Sequence, residues 1–451
     1  MNKIAVVGIF LFSLGYSLQN AKAQEQKDFY GIIKPFVDTN NFSGSVMIQQ
    51  KGKTIFEDSF GRKSLEFDLK NAMDTKFYLA SASMIFTSAA IMKLVENGKI
   101  SLEDKLDKFI PDYQHASKIT IHQMLAQRSG IPAIGKFGNT DYTTITQFTQ
   151  TPQSLYGLFK DYDLLFEPGS EYSHERSEYI LLALIIEKIT GQPFGEYLKD
   201  EIFAPLGMKN TGHSSSEGQI IMNLAKGYAT KDLFDLEAAN QIDWSSKTGH
   251  ASIYSTSQDL MLFIQASQSN QLLTEPSWGK IFTDYGGDSV GYGWFVREHL
   301  GRKRVHMNGR SPGFSSFLCI YPEEELAVVV LSNIYTTVPT SLGNMLAARA
   351  LDESFEPLNL SNTPISKAYG QKVSGVYEFG ENFYVPNFKL KVELRDENLY
   401  ADWGGLLAVE NEFKEIERFI LRTYWSDVKF VEKDGKIVGM EYDEFFGKKN
   451  R

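Results

Sequence analysis

Side chains that can carry out acyl transfer occur in two short segments of the chain. Ser81 precedes an apolar run that predicts a helix, which would place its hydroxyl at the helix N-terminus. Tyr172 and His174 follow the turn signal Pro168-Gly169. A serine hydroxyl becomes a nucleophile when an adjacent base takes its proton, and an imidazole with an ordinary pKa of about 6.5 can do so at neutral pH. These residue types therefore point to nucleophilic attack on a carbonyl.

Each of these residues also has a purely structural explanation. Ser81 alone would be an ordinary N-terminal serine of a helix. Tyr172 would be a half-buried loop tyrosine, and His174 a loop imidazole bonded to the backbone. Arg310 could hold a substrate carboxylate through two parallel hydrogen bonds, or it could be a solvated strand residue. The local pattern alone does not choose between these alternatives.

Other chemistries find no support in the sequence. The seven histidines show neither His-Glu-x-x-His nor another paired metal-ligand spacing, so we expect no metal site. The glycines form no nucleotide-binding signature, and no Gly-x-Ser-x-Gly elbow of an α/β-hydrolase occurs. A formal charge of −10 disfavours nucleic acid as a partner. We therefore expect a protein that acts on a small molecule or peptide without a cofactor.

The N-terminus has the three parts of a secretory signal peptide. Lys3 supplies positive charge, an apolar run from Ile4 to Leu18 follows, and Ala21-Lys22-Ala23 matches a cleavage site. We expect a signal peptide over residues 1–23, no membrane span after its removal, and a location in the periplasm or outside the cell. Cys319 is the single cysteine, so no intramolecular disulfide can form and core burial must hold the fold together.

Periodicity predicts helices and hairpins around these residues. Helices are predicted at Ser83–Asn97 and Ile180–Thr190, and a glycine follows each of them. Hairpins are predicted within 43–60 and 314–331. Residues 353–368 lose periodicity and carry two prolines, which indicates a linker. We therefore expect a main domain over 24–352, the linker, and a small all-β domain over 369–451.

Six segments, in order, resemble the serine β-lactamase and penicillin-binding-protein superfamily, specifically its class C β-lactamase-like branch. They are Phe77–Thr87, Ile119–Leu125 with Ser129–Pro132, Pro168–His174, Pro205–Met208, Tyr292–Trp294 and Asn308–Phe314. The resemblance implies an α+β fold in which helices flank an antiparallel sheet, with a small all-β domain at the C-terminus. It also implies an amide or ester substrate: a β-lactam, a D-amino-acid peptide or a small ester.

The three motifs that carry the family's chemistry are altered in this chain. Where the family has Ser-x-x-Lys, Ser81 is followed three residues later by Met84, whose thioether cannot take a proton from a hydroxyl. The Tyr-x-Asn motif reads Tyr172-Ser173-His174, and the Lys/His-x-Gly motif reads Met307-Asn308-Gly309. His306 lies one residue earlier, where strand alternation would point it to the opposite face. Both family cations have therefore become methionine.

The resemblance assigns roles to the remaining cleft residues. It implies an oxyanion hole made of the backbone N–H groups of Ser81 and Arg310, which side-chain changes do not remove. His250 lies in a loop similar to one beside the family's cleft. By the same resemblance the cleft is lined by Met84, His250, Met307, Asn308, Gly309 and Arg310.

Two interpretations remain open. In the first, Ser81 forms an acyl-enzyme, and His174 replaces the missing lysine as the base. Tyr172 then orients the imidazole or protonates the leaving group, and Glu171 and Glu175 are the two candidates for a carboxylate that orients the ring. Efficient β-lactamase activity is the least favoured version, because both family cations are gone.

In the second interpretation the chain is a catalytically inactive relative. Met84 and Met307 would form an apolar floor, and the cleft would only bind peptidoglycan fragments or a related acyl ligand. A further alternative is that the C-terminal β domain binds a partner while the main domain is a scaffold. The sequence gives neither the substrate nor the oligomeric state.

Overall fold

The computed structural model describes residues 29–137, 141–231, 233–422 and 425–450, so the predicted signal peptide over 1–23 lies outside the described residues. The described residues divide into two compact units. The main unit comprises 43–229 and 237–347, and the second unit comprises 29–42, 230–236 and 348–450.

Helices and strands alternate through the main unit, whereas strands dominate the second. The α-helices are 29–38, Met84–Glu96, Ile121–Leu125, Tyr142–Ile145, Pro152–Gly157, Ser177–Thr190, Phe194–Leu198, Ser257–Ser269, Glu275–Ile281, Pro339–Ala350 and Lys367–Val373. The 3₁₀-helices are Ala80–Ser83, Leu106–Lys108, Ala116–Lys118 and Trp244–Lys247, and Lys199–Phe203 is a π-helix.

The core sheet of the main unit has six antiparallel strands. Their spatial order is Phe295–His299, Arg302–Ser311, Phe314–Tyr321, Leu326–Ser332, Gly44–Gln50 and Lys53–Phe60. Short strands outside this sheet are Arg62–Ser64, Leu69–Lys70, Phe77–Tyr78, Gly212–His213, Tyr228–Thr230, Leu236–Ala238 and Ile253–Ser255. Two central strands, Phe314–Tyr321 and Leu326–Ser332, are buried along their whole length, and the helix Ser257–Ser269 packs against the second of them. This confirms the predicted antiparallel sheet flanked by helices.

The helix Met84–Glu96, here called the serine helix, lies in the core of the main unit. Ten of its thirteen residues are buried, and it packs against Ser177–Thr190 and Glu275–Ile281. Such all-round burial explains why its sequence is apolar on more than one face. It ends at Asn97, and Gly98 follows with φ +64°. The 3₁₀-helix Ala80–Ser83, here called the serine turn, leads directly into it.

The second unit contains a closed antiparallel barrel. Its eight described strands are Gly375–Glu378, Lys389–Arg395, Asn398–Ala401, Gly404–Glu410, Ile416–Leu421, Ser426–Lys433, Lys436–Tyr442 and Phe445–Lys449. Phe445–Lys449 pairs with Gly375–Glu378, and Gly404–Glu410 pairs with Ile416–Leu421, so the ring has no free edge. Its interior is filled with aliphatic and aromatic side chains. The predicted C-terminal all-β domain is confirmed.

Two segments outside the barrel strands also belong to the second unit. Residues 29–38, which the predicted boundaries include in the main domain, pack here, since Phe36 stacks on Trp425 at 5.9 Å between ring centroids. Within the predicted linker, Leu360–Ser361 pairs with Val409 and Ala408 of the barrel. This segment therefore extends the sheet despite its lack of periodicity. No described helix has the length and apolar content needed to cross a membrane.

Candidate functional site

Ser81 is the one partly exposed residue of an otherwise buried turn. Ala80, Ala82 and Ser83 are buried, whereas Ser81 is partly exposed. Ala80 has a φ of +50°, a left-handed conformation that costs an L-residue about 1–2 kcal/mol. Strain of this kind persists where the surrounding structure imposes it, and it is frequent at functional sites. The local fold therefore presents the Ser81 side chain at the surface of the core.

The core sheet holds the serine turn through Gly309 and Ser316. Ser316 Oγ donates a hydrogen bond to the carbonyl oxygen of Leu79 at 2.6 Å. A Cβ atom placed on Gly309 would lie 2.1 Å from that same oxygen and 2.8 Å from the Ser81 nitrogen. Only glycine fits this close approach of two backbones. Gly309 and the Ser81 amide are thus brought together, as the motif resemblance implies.

The strand segment after His306 forms an open edge beside the serine turn. Pairing between Phe295–His299 and its neighbour ends at His306, and no described strand covers that edge beyond it. Asn308 and Arg310 are exposed here. Arg310 Nε donates to the Tyr335 carbonyl at 2.8 Å, and its guanidinium lies 4.5 Å from the centre of the Tyr335 ring. The Arg310 side chain is therefore held by Tyr335, which leaves the strand backbone accessible.

The two methionines that replace the family cations belong to the hydrophobic core. Met84 is 1% exposed and Met307 is 2% exposed, and both lie in one apolar cluster with Leu318. His306 packs instead between Phe295 and Phe317, with ring centroids at 5.3 and 5.9 Å. Burial lowers the pKa of His306 to about 3, so the ring is neutral at pH 7. Neither methionine position offers Ser81 a proton acceptor.

Gln127, which the sequence analysis missed, holds the segment that carries His174. Its backbone oxygen accepts from Ser173 N at 3.1 Å. Its side-chain Nε2 donates to the Glu175 carbonyl at 3.1 Å, and its Oε1 lies 3.0 Å from His174 Nδ1. Gln127 is 3% exposed and adopts a φ of +55°. Neither Glu171 nor Glu175 makes a described bond to the imidazole; Glu175 accepts instead from Ser173 Oγ.

This network fixes the protonation of His174. Because Gln127 Nε2 is used as a donor, its Oε1 must be the acceptor, so the hydrogen of the imidazole sits on Nδ1. The lone pair is then on Nε2, which makes that atom the proton acceptor. Part of the ring is exposed, but burial of the rest lowers the pKa of His174 below its usual value. His174 is therefore a neutral base at pH 7.

Tyr172 has the opposite character. Burial raises the pKa of its phenol to about 12, so the hydroxyl keeps its proton at neutral pH. The Tyr172 oxygen lies 3.4 Å from His174 Nδ1. The Tyr172 oxygen can therefore only accept in its contact with the Nδ1–H of His174, while its own hydrogen is available for donation to a ligand.

His174 and Ser81 are positioned by different elements. The His174 ring stacks on Phe295, with centroids 6.3 Å apart, at the start of the edge strand. Among the described residues no hydrogen bond joins Ser81 Oγ to His174. Ser81 thus lies next to Gly309, and Tyr172 lies next to His174. Among the described residues no hydrogen bond connects the first pair to the second.

His250 is buried in the main unit. It is 5% exposed, and its Nδ1 has no hydrogen-bond partner among the described residues. Burial lowers its pKa well below the usual value, and the positive charges of Lys247 and Arg176 act in the same direction. His250 is therefore neutral at pH 7, and its predicted place in the lining of the cleft stays a prediction.

Glu178 is a second group that the sequence analysis missed. It is 1% exposed, and its Oε1 accepts hydrogen bonds from Ser129 N at 3.0 Å and from Ser129 Oγ. Its Oε2 has no partner among the described residues. Burial raises the pKa of Glu178 well above its usual value, so the carboxyl is held in the neutral form. The bond to Ser129 ties the loop after Gln127 to the helix Ser177–Thr190.

A Glu178→Gln variant should reveal this raised pKa. At pH values between the unfolded and the folded pKa, only the unfolded chain releases the proton, so the stability of the natural protein falls as pH rises through that window. Glutamine does not titrate. The difference in free energy of unfolding, variant minus natural protein, should therefore grow between pH 4 and pH 8. Urea denaturation at several pH values would measure it, and a constant difference would contradict the assignment.

One cavity of the main unit has none of these residues in its lining. It has a volume of about 1200 Å³, and its lining includes Phe194, His213, Thr248 and Tyr254 but none of the predicted site residues. A smaller cavity of about 230 Å³ is lined in part by Tyr78, Trp244 and Phe314. Tyr78 and Trp244 stack at 3.8 Å between centroids. Tyr78 lies three residues before Ser81 in the chain, so the aromatic side chains that line this smaller cavity lie near the serine turn.

The described residues contain no cluster of three or more His, Cys, Asp or Glu placed to hold a metal ion.

Comparison with known proteins supports the resemblance. A family model described as Beta-lactamase matches residues 29–352. The chain is 25% identical over 431 residues to penicillin-binding protein 4* of Bacillus subtilis, covering 91% of this chain and 94% of that protein. It is 27% identical over 305 residues to protein flp of Staphylococcus aureus, covering 64% of this chain and 59% of that protein.

Solved structures share the fold. The octameric penicillin-binding protein homologue from Pyrococcus abyssi superposes with a TM-score of 0.68 at 21% identity, over 95% of this chain and 100% of that one. D-amino acid amidase from Ochrobactrum anthropi has a TM-score of 0.66 at 20% identity, over 73% and 99%. At these identities the likeness establishes the fold alone.

Proposed function

Because this chain belongs to the Beta-lactamase family, we propose that it is an exported serine hydrolase that acts on an amide or ester through an acyl-enzyme on Ser81. The observation that carries the proposal is the close approach of Gly309 to the Ser81 nitrogen, beside a serine that is partly exposed in an otherwise buried turn. In this arrangement the backbone N–H groups of Ser81 and Arg310 are the proposed hydrogen-bond donors to the negative charge that develops on the oxygen of the attacked carbonyl. The pattern of residues 1–23 favours a location in the periplasm or outside the cell.

The proposed base is His174. Ser81 Oγ attacks the carbonyl carbon while its proton passes to His174 Nε2 through one bridging water, because no direct bond joins the two residues. Catalytic hydrogen bonds are often long before substrate binds. The tetrahedral intermediate then collapses, the C–N or C–O bond breaks, and the leaving group takes a proton either from the imidazolium or from Tyr172. In the second case the imidazolium gives its proton to the Tyr172 phenolate, so in both cases His174 Nε2 is neutral again. Water, activated by the same Nε2, hydrolyses the acyl-enzyme and restores Ser81.

The expected result is a single covalent adduct on Ser81. The mature protein is incubated with a fluorophosphonate and, separately, with a penicillin, and intact mass is measured over time. Ser81→Ala should remove the adduct. His174→Ala should slow its formation about 100-fold or more, since general-base assistance is worth roughly 10²–10⁴-fold. His115→Ala is the matched control, because His115 lies at the surface beside Asp163 and should leave the rate unchanged. Equal rates in His174→Ala and the natural protein would exclude His174 as the base.

A binding protein without catalysis is the second candidate. The observation that favours it is the burial of Met84 and Met307 in the core, which leaves Ser81 without a hydrogen-bonded base among the described residues. The ligand would be a peptidoglycan fragment or a related acyl compound. In that case no adduct should form from mildly acidic to alkaline pH, and Ser81→Ala should bind such fragments as tightly as the natural protein.

A further inference from the structure

Five large apolar side chains are exposed on two neighbouring loops of the main unit, residues 62–76 and 219–226. Phe67 is 78% exposed and Ile220 is 87% exposed. The five side chains, here called the apolar patch, are Leu65, Phe67, Leu69, Ile220 and Met222. A single exposed apolar residue is ordinary, but several together, rimmed by polar groups, mark a contact surface.

Hydrogen bonds join the two loops into one surface. Lys76 N donates to the Asn223 carbonyl oxygen at 2.9 Å, and Lys76 Nζ donates to the Met222 carbonyl oxygen at 3.0 Å. Lys226 N donates to the Lys63 carbonyl oxygen at 2.8 Å. The apolar side chains of the two loops therefore belong to the same region of the main unit.

The exposure of the patch is imposed by buried groups beneath it. Tyr228 is buried, and its hydroxyl accepts from Leu65 N at 2.6 Å and donates to Glu66 Oε2 at 2.6 Å. In the second loop Ile221 packs against the core of the main unit, whereas its neighbour Ile220 is exposed. Both loops are thus held in conformations that keep apolar side chains in contact with solvent.

The two loops are basic in an acidic protein. Together they carry five cations and three acids, a net charge of +2, whereas the whole chain has a formal charge of −10. Glu66 pairs with Lys226 and Asp68 pairs with Arg62, while Asp74 accepts a hydrogen bond from an amide. The remaining lysines have no carboxylate within 4 Å among the described residues: Lys63, Lys70 and Lys76. Unpaired cations and exposed apolar side chains therefore share one surface.

We propose that the apolar patch and these three lysines form a binding surface for a lipid bilayer that contains anionic lipids. The apolar side chains enter the boundary between headgroups and acyl chains, about 5–10 Å deep, and the lysines contact the anionic headgroups. The main unit then lies on one face of a membrane rather than across it. A second copy of the chain is a poorer occupant, because a symmetric contact brings the lysines of two copies together. The inference is independent of the chemistry proposed for Ser81.

Vesicle sedimentation with the mature protein tests this surface. The probes are vesicles of phosphatidylcholine alone and vesicles of phosphatidylcholine and phosphatidylglycerol in equal parts. The affinity should be at least about 10-fold higher for the anionic vesicles, since each lysine near an anionic surface contributes about fivefold. Raising the ionic strength from about 0.1 M to about 1 M shortens the screening length from about 10 Å to about 3 Å and should remove this preference.

The apolar contribution is tested by combining Phe67→Ser with Ile220→Ser. The double variant should bind the anionic vesicles at least about 10-fold more weakly, because two large side chains can no longer enter the bilayer. Phe413→Ser is the matched control, because Phe413 is 74% exposed but belongs to the second unit, and it should leave the affinity unchanged. All three positions are exposed, so the variants should melt at the temperature of the natural protein.

The contribution of the lysines is tested by a triple variant that should remove the preference for anionic vesicles: Lys63→Gln, Lys70→Gln and Lys76→Gln. A second triple variant removes the same charge from exposed strands of the barrel and should keep the preference: Lys429→Gln, Lys433→Gln and Lys436→Gln. The salt dependence of the natural protein keeps the test decisive if thermal melts show that a variant does not fold.

Two results would overturn the inference. The first is equal affinity of the natural protein for the two kinds of vesicle, or unchanged binding in the Phe67→Ser and Ile220→Ser double variant. The second is a molar mass, measured by light scattering, that rises with protein concentration in the natural protein but not in this double variant. In that case the apolar patch would be a contact between copies of the chain.

Discussion

Gly309→Ala is expected to abolish covalent labelling of Ser81 and to destabilise the main unit. The new Cβ would lie 2.1 Å from the Leu79 carbonyl oxygen and 2.8 Å from the Ser81 nitrogen. Both are backbone atoms, so the strand or the serine turn must move. Overpacking of this kind costs about 1–3 kcal/mol or more. Displacing one oxyanion donor costs roughly 10²–10³-fold in rate. Labelling kinetics and urea denaturation would measure the two effects separately.

Gly279→Ala is the matched control for this prediction. Gly279 lies in the helix Glu275–Ile281, and a Cβ there would meet no atom within 4 Å. Alanine in a helix is favoured over glycine by about 1 kcal/mol, so this variant should be as stable as the natural protein or more stable, with unchanged labelling. If Gly309→Ala behaved like Gly279→Ala, the serine turn and the strand would not be in contact in solution.

Met84→Lys, which restores the family's Ser-x-x-Lys spacing, should be strongly destabilising. Met84 is 1% exposed within an apolar cluster. An ammonium placed there must either lose its proton or remain charged without a partner, at a cost of about 4 kcal/mol at pH 7. Met84→Leu keeps the volume and the apolar character and should cost less than about 1.5 kcal/mol. Denaturation of the two variants in urea would measure the difference.

The free energy of unfolding of Met84→Lys should also depend on pH. A buried lysine has a folded-state pKa below its unfolded value, so the unfolded chain binds more protons and stability rises with pH through that window. The penalty of Met84→Lys relative to Met84→Leu should therefore shrink between pH 7 and pH 10. Equal stability of the two variants at pH 7 would mean that water reaches this position, and the lysine could then act on Ser81 as it does in the family.

The architecture was largely predictable because its signals are local. Apolar periodicity followed by Asn97-Gly98 predicts the serine helix, and alternating runs around short turns predict the hairpins. Closure of the barrel was not predictable, because it depends on pairing between Gly375–Glu378 and Phe445–Lys449, which are far apart in the chain. The strand at Leu360–Ser361 is too short to give a pattern of its own.

The site was predictable only where a motif marks it. Ser81 and Gly309 follow from the motif resemblance, and the structure places them together. Gln127 carries no such signal, since a glutamine is usually a surface residue and its positive φ cannot be read from sequence. Gln127 does, however, lie between Ile119–Leu125 and Ser129–Pro132, two segments that resemble the family. That position was the one indication in the sequence that it could lie near the site.

Cys319 gives the molecule a practical use as a scaffold for site-specific labelling. It is the single cysteine of the chain, it is fully buried in the core sheet, and burial raises the pKa of its thiol to about 12. Thiol reagents attack thiolates that they can reach, so the folded protein has no reactive sulfur of its own. A cysteine introduced by Ser81→Cys would then be the one addressable thiol. Spectroscopic probes could be attached at the cleft without first removing a native residue.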